Sequence, residues 1–439
     1  MPHPKPSAIH SSLSSSGQSL ETSMTVGLLS QKVSDLCLGK PALVSIPASS
    51  SIRDAVYALG RSGESHLSVW SCDHRGFCEA ADDGDVSSCR CVGKVCMADV
   101  ICYLCREENL QRRPGDALEA PVAEVLPESS DLIVRHVEYS SSLLEAIDLI
   151  MQGAQNLVVP IQSKWISRRK PHGKPAAACP TPTHHGNGLQ FCWLTQEDVI
   201  RFLLNSITLF SPLSALPIDS LGLVTDDFLA VDYDSPASSA AVTISLALAH
   251  QTSVAVTDSD GTLVGEISPF TLAFCDEAVA AAIATLSCGD LMAYIDGGGP
   301  PTEELVQLVE LRLRERNLVG LLEEFSFGSS MATGGSSSSS SDEEGRGSPV
   351  GRLMRGGQYS RSSRYSARMV RRSEAIVCHR ASSLVAVMVQ AIAHRVNYVW
   401  VIEDDCSLVG IVTFSGVLKI FREHFQLYDN SLSEIRGKV

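Results

Sequence analysis

The sequence predicts an α/β chain built from four copies of one small β-α-β-β-α unit, joined two by two. Three observations carry that prediction. A Ser-Ser pair stands before an apolar helical pattern at Ser50-Ser51, Ser141-Ser142, Ser238-Ser239 and Ser382-Ser383. A strand-like apolar run follows the second serine after 15 or 16 residues, at Leu67, Leu157, Val254 and Val399. A further strand-like run and a second apolar helix complete every copy. A repeated supersecondary unit decides the architecture, because one such unit buries too little apolar surface alone and must stack on another.

In the first unit, Ala42 to Ile46 reads as a lead-in strand. Ile52, Ala55, Val56 and Leu59 then fall on one helical face. Ser50 or Ser51 is placed to cap that helix, where a hydroxyl accepts from an otherwise unpaired backbone N–H. His66 to Trp70 and Val92 to Val95 read as strands, and Asp99 to Leu104 opens the closing helix. The second unit repeats this with the stripe Leu143, Ala146, Ile147 and Ile150, strands Leu157 to Ile161 and Cys192 to Leu194, and a helix over Val199 to Leu204. The third is looser: its stripe is Ala240, Ile244, Ala247 and Leu248, with strands Ser253 to Val256 and Leu263 to Ile267 and a closing helix at Leu272 to Cys275. The fourth has Leu384, Val387, Met388 and Ala391, strands Tyr398 to Ile402 and Val409 to Val412, and a helix over Val417 to Phe421.

Insertions fall between the two paired strands, at residues 71–90 and 162–190, where hairpin loops tolerate added length. A larger one precedes the fourth unit. Gly289 to Met292 resembles the Ser34-Asp35-Leu36 lead-in and reads as a lead-in to unit four. A helix from Glu303 to Glu324 follows, whose stripe of Leu305, Leu308 and Val309 is interrupted by Arg312. The Ser/Gly/Arg stretch from Gly328 to Arg372 cannot pack a core and is expected to be disordered. Ser341 beside acidic residues and Ser348 before Pro349 make it a candidate for phosphorylation, against an inert tether.

Composition narrows the function classes. With 439 residues and 44% hydrophobic side chains the chain can bury a sizeable core. Its formal charge of −15 argues against nucleic-acid binding, which needs a basic footprint. Many of the 14 cysteines, such as Cys102, Cys105, Cys192 and Cys275, lie in apolar runs, as free thiols of a cytosolic protein do. No apolar run is long enough to span a membrane. The serine-rich start lacks a secretory pattern. It has no acid before Glu21 but only Lys5 as a base, so a cytoplasmic location is expected, with the chloroplast as alternative.

A glycine-led strand, a hydroxyl residue and an acid three positions later recur at corresponding places. They stand as Gly93, Cys96 and Asp99; as Thr195 and Asp198 without the glycine; as Gly265, Ser268 and Thr271; and as Gly410, Thr413 and Gly416. In this the unit resembles the CBS domain, and the chain resembles plant CBS-domain proteins with four such units and no catalytic domain. By unit count it is also similar to the gamma subunits of AMP-activated kinases. The implied division is a tail at 1–30, unit one at 31–112, unit two at 118–206, unit three at 213–277, a lead-in and helix of unit four at 286–326, a linker at 327–370 and unit four at 371–426. Units one and two, then three and four, pair into two modules.

The resemblance implies adenosine phosphates in the clefts between paired units, with the hydroxyl and the acid on the ribose. The candidate nucleotide-binding residues are Thr195, Asp198, Asp99, Ser268 and Thr413. Unit two keeps both groups and is the first place to look. Elsewhere Cys96 replaces the hydroxyl, and Thr271 and Gly416 replace the acid. The competing reading is a helix cap, since a hydroxyl and an acid three apart at a helix start satisfy its N–H groups. Lys94, Arg135, His136, His394 and Arg395 are candidates for neutralising phosphate, against plain solvated side chains.

Cys72, His74, Cys78, Cys89 and Cys91 have metal-ligand chemistry, but their spacing is too tight for a zinc pattern, so no metal is expected. No nucleophile elbow, Walker loop, dinucleotide fingerprint or kinase motif set is found. The expectation is a non-catalytic sensor without a resident cofactor. AMP, ADP or ATP would be its regulatory ligand, and a kinase or thioredoxin-type protein its partner. No nucleic acid or membrane is expected, and a homodimer is allowed. The alternatives are a ligand-free scaffold and a kinase gamma-like subunit.

Overall fold

The computed structural model describes residues 31–71, 89–127, 133–161, 190–296, 301–332 and 374–436. The tail, residues 72–88 and 162–189 of the insertion loops and residues 333–373 of the linker therefore lie outside the described residues, whereas 328–332, expected to be disordered, are helical. Unit one consists of β1 (Ser45–Pro47), α1 (Ile52–Ser62), β2 (Leu67–Ser71), β3 (Arg90–Val95) and α2 (Met97–Leu104). Unit two consists of β4 (Val134–His136), α3 (Leu143–Met151), β5 (Asn156–Ile161), β6 (Gln190–Thr195) and α4 (Gln196–Asn205). Unit three has β7 (Ala230–Asp232), α5 (Ala237–His250), β8 (Val254–Thr257), β9 (Leu263–Ile267) and the short α6 (Pro269–Leu272). Helices α7 (Val279–Thr285), α8 (Cys288–Ile295), α9 (Glu303–Glu315) and α10 (Val319–Ala332) follow. Unit four closes the chain with β10 (Val377–Cys378), α11 (Leu384–His394), β11 (Tyr398–Ile402), β12 (Leu408–Thr413) and α12 (Phe414–Arg436).

Each unit forms one three-stranded sheet in which the first pair is parallel and the second antiparallel. A parallel pair needs a crossover, and the helix after the lead-in strand supplies it. Ser51, Ser142 and Ser383 cap their helices, accepting from the N–H groups of Asp54, Glu145 and Ala386. Unit three departs from this. Its helix starts at Ala237 after Pro236, so Ser238 and Ser239 lie inside the first turn, exposed, and do not cap it. Proline at the helix entrance replaces the hydroxyl signal.

The lead-in segments are exchanged within each module. Residues 31–36 bond to unit two, through Val33 N–H to Ser141 O at 2.9 Å and Leu143 N–H to Gln31 O at 3.0 Å. The segment after unit one returns to it, through Ile52 N–H to Ala120 O and Val122 N–H to Ser50 O. In the second module the segment at 216–218 bonds to unit four, and Leu286 and Cys288 bond to unit three at Ala237 and Ser235. Gly289 to Met292, read as a lead-in to unit four, lies in α8 and packs on unit three, as the lead-in of unit one packs on unit two. In each case a helix N-terminus finds an acceptor for an otherwise orphaned N–H.

The four units meet in a closed ring of two kinds of joint. Sheets join unit one to unit two, where Trp70, Cys91, Val134 and Val158 form a small core. Sheets likewise join unit three to unit four, with Leu263 N–H to Cys406 O and Leu408 N–H to Gly261 O, both at 3.1 Å. Helices join the modules. One large core combines units one and three and the other combines units two and four. The expected pairing into two modules is therefore present, and each unit has a second partner across the module boundary. The expected single helix from Glu303 is broken at Asn317, whose φ is 55°. Both pieces pack into the core of units one and three, through Val309, Leu313, Leu321 and Phe325. Arg312, which interrupts the stripe, donates to Thr285 O at 2.8 Å and so caps the end of α7.

Candidate functional site

A cavity of about 300 Å³ opens beside the motif of unit one. Lys94 enters it from the end of β3, Asp99 from the first turn of α2 and Arg106 from just beyond that helix. His66 lines it ahead of β2. Ile133 and Gln155 of unit two form one wall, and Val242, Ser245 and Leu248 of α5 form another, so three units build it. Val242 is 71% exposed, an apolar side chain left uncovered where the cavity opens. Gln155 donates to Ala249 O and fixes the joint between those two walls.

The local geometry follows from the helix start. Asp99 is the third residue of α2, and its Oδ2 accepts from Cys96 N–H at 2.8 Å. Burial pushes the Asp99 carboxyl above its ordinary range, against the hydrogen bonds from Cys96 and the charge of Lys94. Burial likewise pulls the Lys94 ammonium down. Burial thus disfavours the charged form of both groups, a cost that an ionic ligand relieves. Arg106 lies over the Tyr103 ring, 5.0 Å from its centroid, and Tyr103 Oη donates to Glu124 at 3.0 Å.

His66 is pulled from 6.5 to about 3 by burial, with Lys94's charge acting in the same direction. Its Nδ1 lies 2.9 Å from Ser65 Oγ. The consequence is a pH dependence of stability. As pH falls from 6.5 toward 3, the unfolded chain takes up a proton at this imidazole and the folded chain refuses it. Stability from this residue is intact above pH 6.5 and is lost below it, by up to about 1.4 kcal/mol per pH unit. Urea midpoints at pH 7, 6 and 5 should show a drop in the wild-type chain that His66→Gln reduces; parallel curves would refute the assignment.

Of the other motif positions, Thr195 and Asp198 lie together and close a capping box. Thr195 N–H and Oγ1 both donate to Asp198 Oδ2 at 2.8 Å, and Lys40 Nζ reaches the same oxygen at 2.5 Å. Lys40 arrives from the exchanged lead-in segment, so nothing near Asp198 in the sequence announces it. Ser268 is buried at 3% exposure, and the buried Thr271 Oγ1 has no hydrogen-bond partner among the described residues. Thr413 Oγ1 accepts from Gly416 N–H at 3.2 Å, a plain helix cap. Asp99, Ser268 and Thr413 each stay in their own unit, and of the five candidates Asp99 alone lines the cavity described here.

Among the phosphate candidates, Lys94 lines the cavity. His136 instead accepts from Cys91 N–H at 3.0 Å and packs edge-on to Trp70, and Arg135 is half-buried on β4. His394 and Arg395 are exposed at the end of α11. Cys72, His74 and Cys78 lie outside the described residues. Cys91 is buried, donates to Gly93 O, and is pushed up to about 12 by burial. Among the described residues no cluster of three or more His, Cys, Asp or Glu could hold a metal, and no helix is long and apolar enough to cross a membrane.

The motif glycines have a steric role. A Cβ at Gly93 would stand 2.8 Å from Leu126 Cδ2, and one at Gly410 would stand 2.6 Å from Val224 Cγ1 and 2.8 Å from Thr225 O. The segments after unit one and before unit three lie directly on these strands. Sequence reasoning missed His66, Arg106 and Gln155 and the α5 wall, because they reach the cavity from separate units.

No family model matches the chain. It is 50% identical over 411 residues to the CBS domain-containing protein CBSX5 of Arabidopsis thaliana, covering 92% of this chain and 99% of that one. It is 27% identical over 422 residues to CBSX6 of the same plant, covering 88% and 92%. Among solved structures it is similar to protein MJ1225 of Methanocaldococcus jannaschii, described as a candidate archaeal homolog of g-AMPK, with 15% identity, a TM-score of 0.49 and coverage of 89% and 100%. It is also similar to the CBS domain of a Sphaerobacter thermophilus membrane protein, with 16% identity, a TM-score of 0.22 and coverage of 50% and 97%. With four β-α-β-β-α units in two modules, and half its residues shared with a relative along nearly the whole length of both, the chain belongs to the plant CBS domain-containing proteins.

Proposed function

We propose that this protein is a non-catalytic regulatory protein that takes an adenosine phosphate in the unit-one cavity and thereby changes how it engages a protein partner. One observation carries the reading: a single cavity collects an acid, two basic side chains and an apolar wall. Asp99 accepts from ribose hydroxyls, Lys94 and Arg106 face the phosphate, and Val242, Leu248 and Ile133 cover the base. The size, at the lower end for ligand pockets, suits one mononucleotide. Because α5 belongs to the other module, a bound ligand touches both modules. It therefore favours the arrangement in which they are closed, which is the differential affinity that regulation requires.

Calorimetric titration of the full chain with AMP, ADP and ATP tests this. Binding is expected to weaken at least tenfold in Asp99→Ala and to persist in Asp198→Ala. Burial holds Lys94 below its ordinary range, and a phosphate beside it favours its charged form. Silence at millimolar nucleotide would leave the second reading, a ligand-free scaffold. That reading is favoured by Lys40 on Asp198 and by the capping role of Thr413. A partner of kinase or thioredoxin type would be identified by co-purification with and without nucleotide.

A further inference from the structure

Cys37 ends the helical turn Val33–Leu36 of the exchanged lead-in segment, and Cys192 is the third residue of β6 in unit two. Both belong to the core shared by units two and four. The lead-in segment is anchored to β6 and α4 at two further points. Lys40 Nζ meets Asp198 Oδ2 at 2.5 Å, and Leu43 N–H donates to Phe191 O at 2.8 Å. The same packing sets the two thiols near enough in that core for each to act on the other.

We propose that Cys37 and Cys192 form a reversible intramolecular disulfide that ties the lead-in segment to unit two. A sulfur–sulfur bond of about 2.05 Å then closes an existing contact instead of joining distant segments. Cys37 is 8% exposed and Cys192 is fully buried, so an oxidant reaches Cys37 first. The neighbouring Cys192 thiol holds the Cys37 thiol below its ordinary range, helped by Lys40's charge and opposed by burial and by Asp198. Cys91, Cys102 and Cys378 are instead pushed up to about 12, 11 and 12 by burial, which keeps them unreactive thiols. With hydrogen peroxide as oxidant, the Cys37 thiolate attacks one peroxide oxygen, the O–O bond breaks, and the departing hydroxide takes a proton to become water. The resulting sulfenic acid is attacked by the Cys192 sulfur. The S–S bond forms, the S–O bond breaks, and the hydroxyl leaves as water with the Cys192 proton. Two thiols lose two electrons and two protons, and the peroxide becomes two waters; a dithiol reverses the change by exchange.

The consequence concerns unit two. Lys40 rides on the tied segment, so the disulfide fixes it on Asp198. Reduction leaves that contact to the ion pair and backbone bonds. This regulatory consequence rests on the reading of the motifs as nucleotide sites, whereas the disulfide itself does not. The full chain should be treated with stoichiometric hydrogen peroxide, alkylated, digested without reduction and mapped by mass spectrometry. A linked peptide containing Cys37 and Cys192 is expected; it should vanish with dithiothreitol and in Cys37→Ser, and persist in Cys406→Ser. Hydrogen exchange at residues 31–43 should slow at least tenfold on oxidation in the wild-type chain. Alkylation of both cysteines after oxidation, or their linkage to other thiols, would overturn the proposal. So would a linked peptide with unchanged exchange, since the segment would then not be held. A chain that forms the disulfide yet binds no nucleotide in either state would sink the nucleotide reading alone.

Discussion

Replacing Glu266 by alanine should lower the unfolding free energy by about 3–5 kcal/mol. Glu266 lies on β9 in an otherwise apolar strand and is only 1% exposed. Its carboxylate accepts from Tyr398 Oη at 2.9 Å to each oxygen and from Trp400 Nε1 at 2.8 Å. Both donors come from β11, so these bonds clasp unit three to unit four across the sheet joint. Alanine would leave two buried donors unsatisfied and open a cavity beside Trp400, itself fully buried. Glu266→Gln keeps the shape and one acceptor oxygen, and should lose about half as much. Urea unfolding of the three chains measures this. A loss below about 1 kcal/mol in the alanine variant would mean that these hydrogen bonds do not hold the joint.

The same strand position explains why the two modules differ. Glu266 follows the motif glycine of unit three as Lys94 follows that of unit one. In the second module the position is filled by a buried carboxylate met by two aromatic donors. In the first it carries a cation into a cavity. The repeat is identical in topology and opposite in chemistry: one copy spends the position on closure, the other leaves it facing a space large enough for a ligand.

Local features were legible in the sequence where local physics decides them. The serines before α1, α3 and α11 cap helices because a hydroxyl at that position has no better partner, and the alternation of stripe and strand follows from burial of one face. Unit three escaped this because Pro236 already sets the helix entrance, leaving Ser238 and Ser239 without a capping task. The exchanged lead-ins were not legible, since Ser34 and Gly289 look alike whichever unit they cover; only packing assigns them. The choice between the unit-one and unit-two motifs turned on the same point. Thr195 and Asp198 match the motif better than Cys96 and Asp99, but the side chain that meets Asp198 is Lys40, more than 150 positions away. Arg312 is a further case. It reads as a fault in an apolar stripe and is the cap of a neighbouring helix.

Two glycines of the unit-four motif should respond in opposite directions. Gly410→Ala would place a methyl 2.6 Å from Val224 Cγ1 and 2.8 Å from the Thr225 carbonyl oxygen. That carbonyl is backbone, fixed by mutual bonds with Ile411 at 3.1 and 2.9 Å, so it cannot swing aside as a side chain tip would. The segment before unit three must lift from β12, at a cost of about 2–3 kcal/mol. Gly416 has open space instead: an added Cβ meets Leu223 Cδ2 and Thr413 Oγ1 at 3.6 Å, ordinary contact distance. Gly416→Asp puts a carboxylate in the first turn of α12, beside the Thr413 hydroxyl that already accepts from the N–H of residue 416. It rebuilds the arrangement seen at Thr195 and Asp198. Relief of glycine's entropy and the favourable helix-end charge should together add about 1 kcal/mol. Thermal and urea unfolding of the two variants separate the roles within one motif. The leading glycine answers to the chain lying across the strand, and the acid position answers first to the helix that begins there. Equal losses in both variants would show that α12 cannot accept a side chain at 416, and would remove the capping account of the motif's acid.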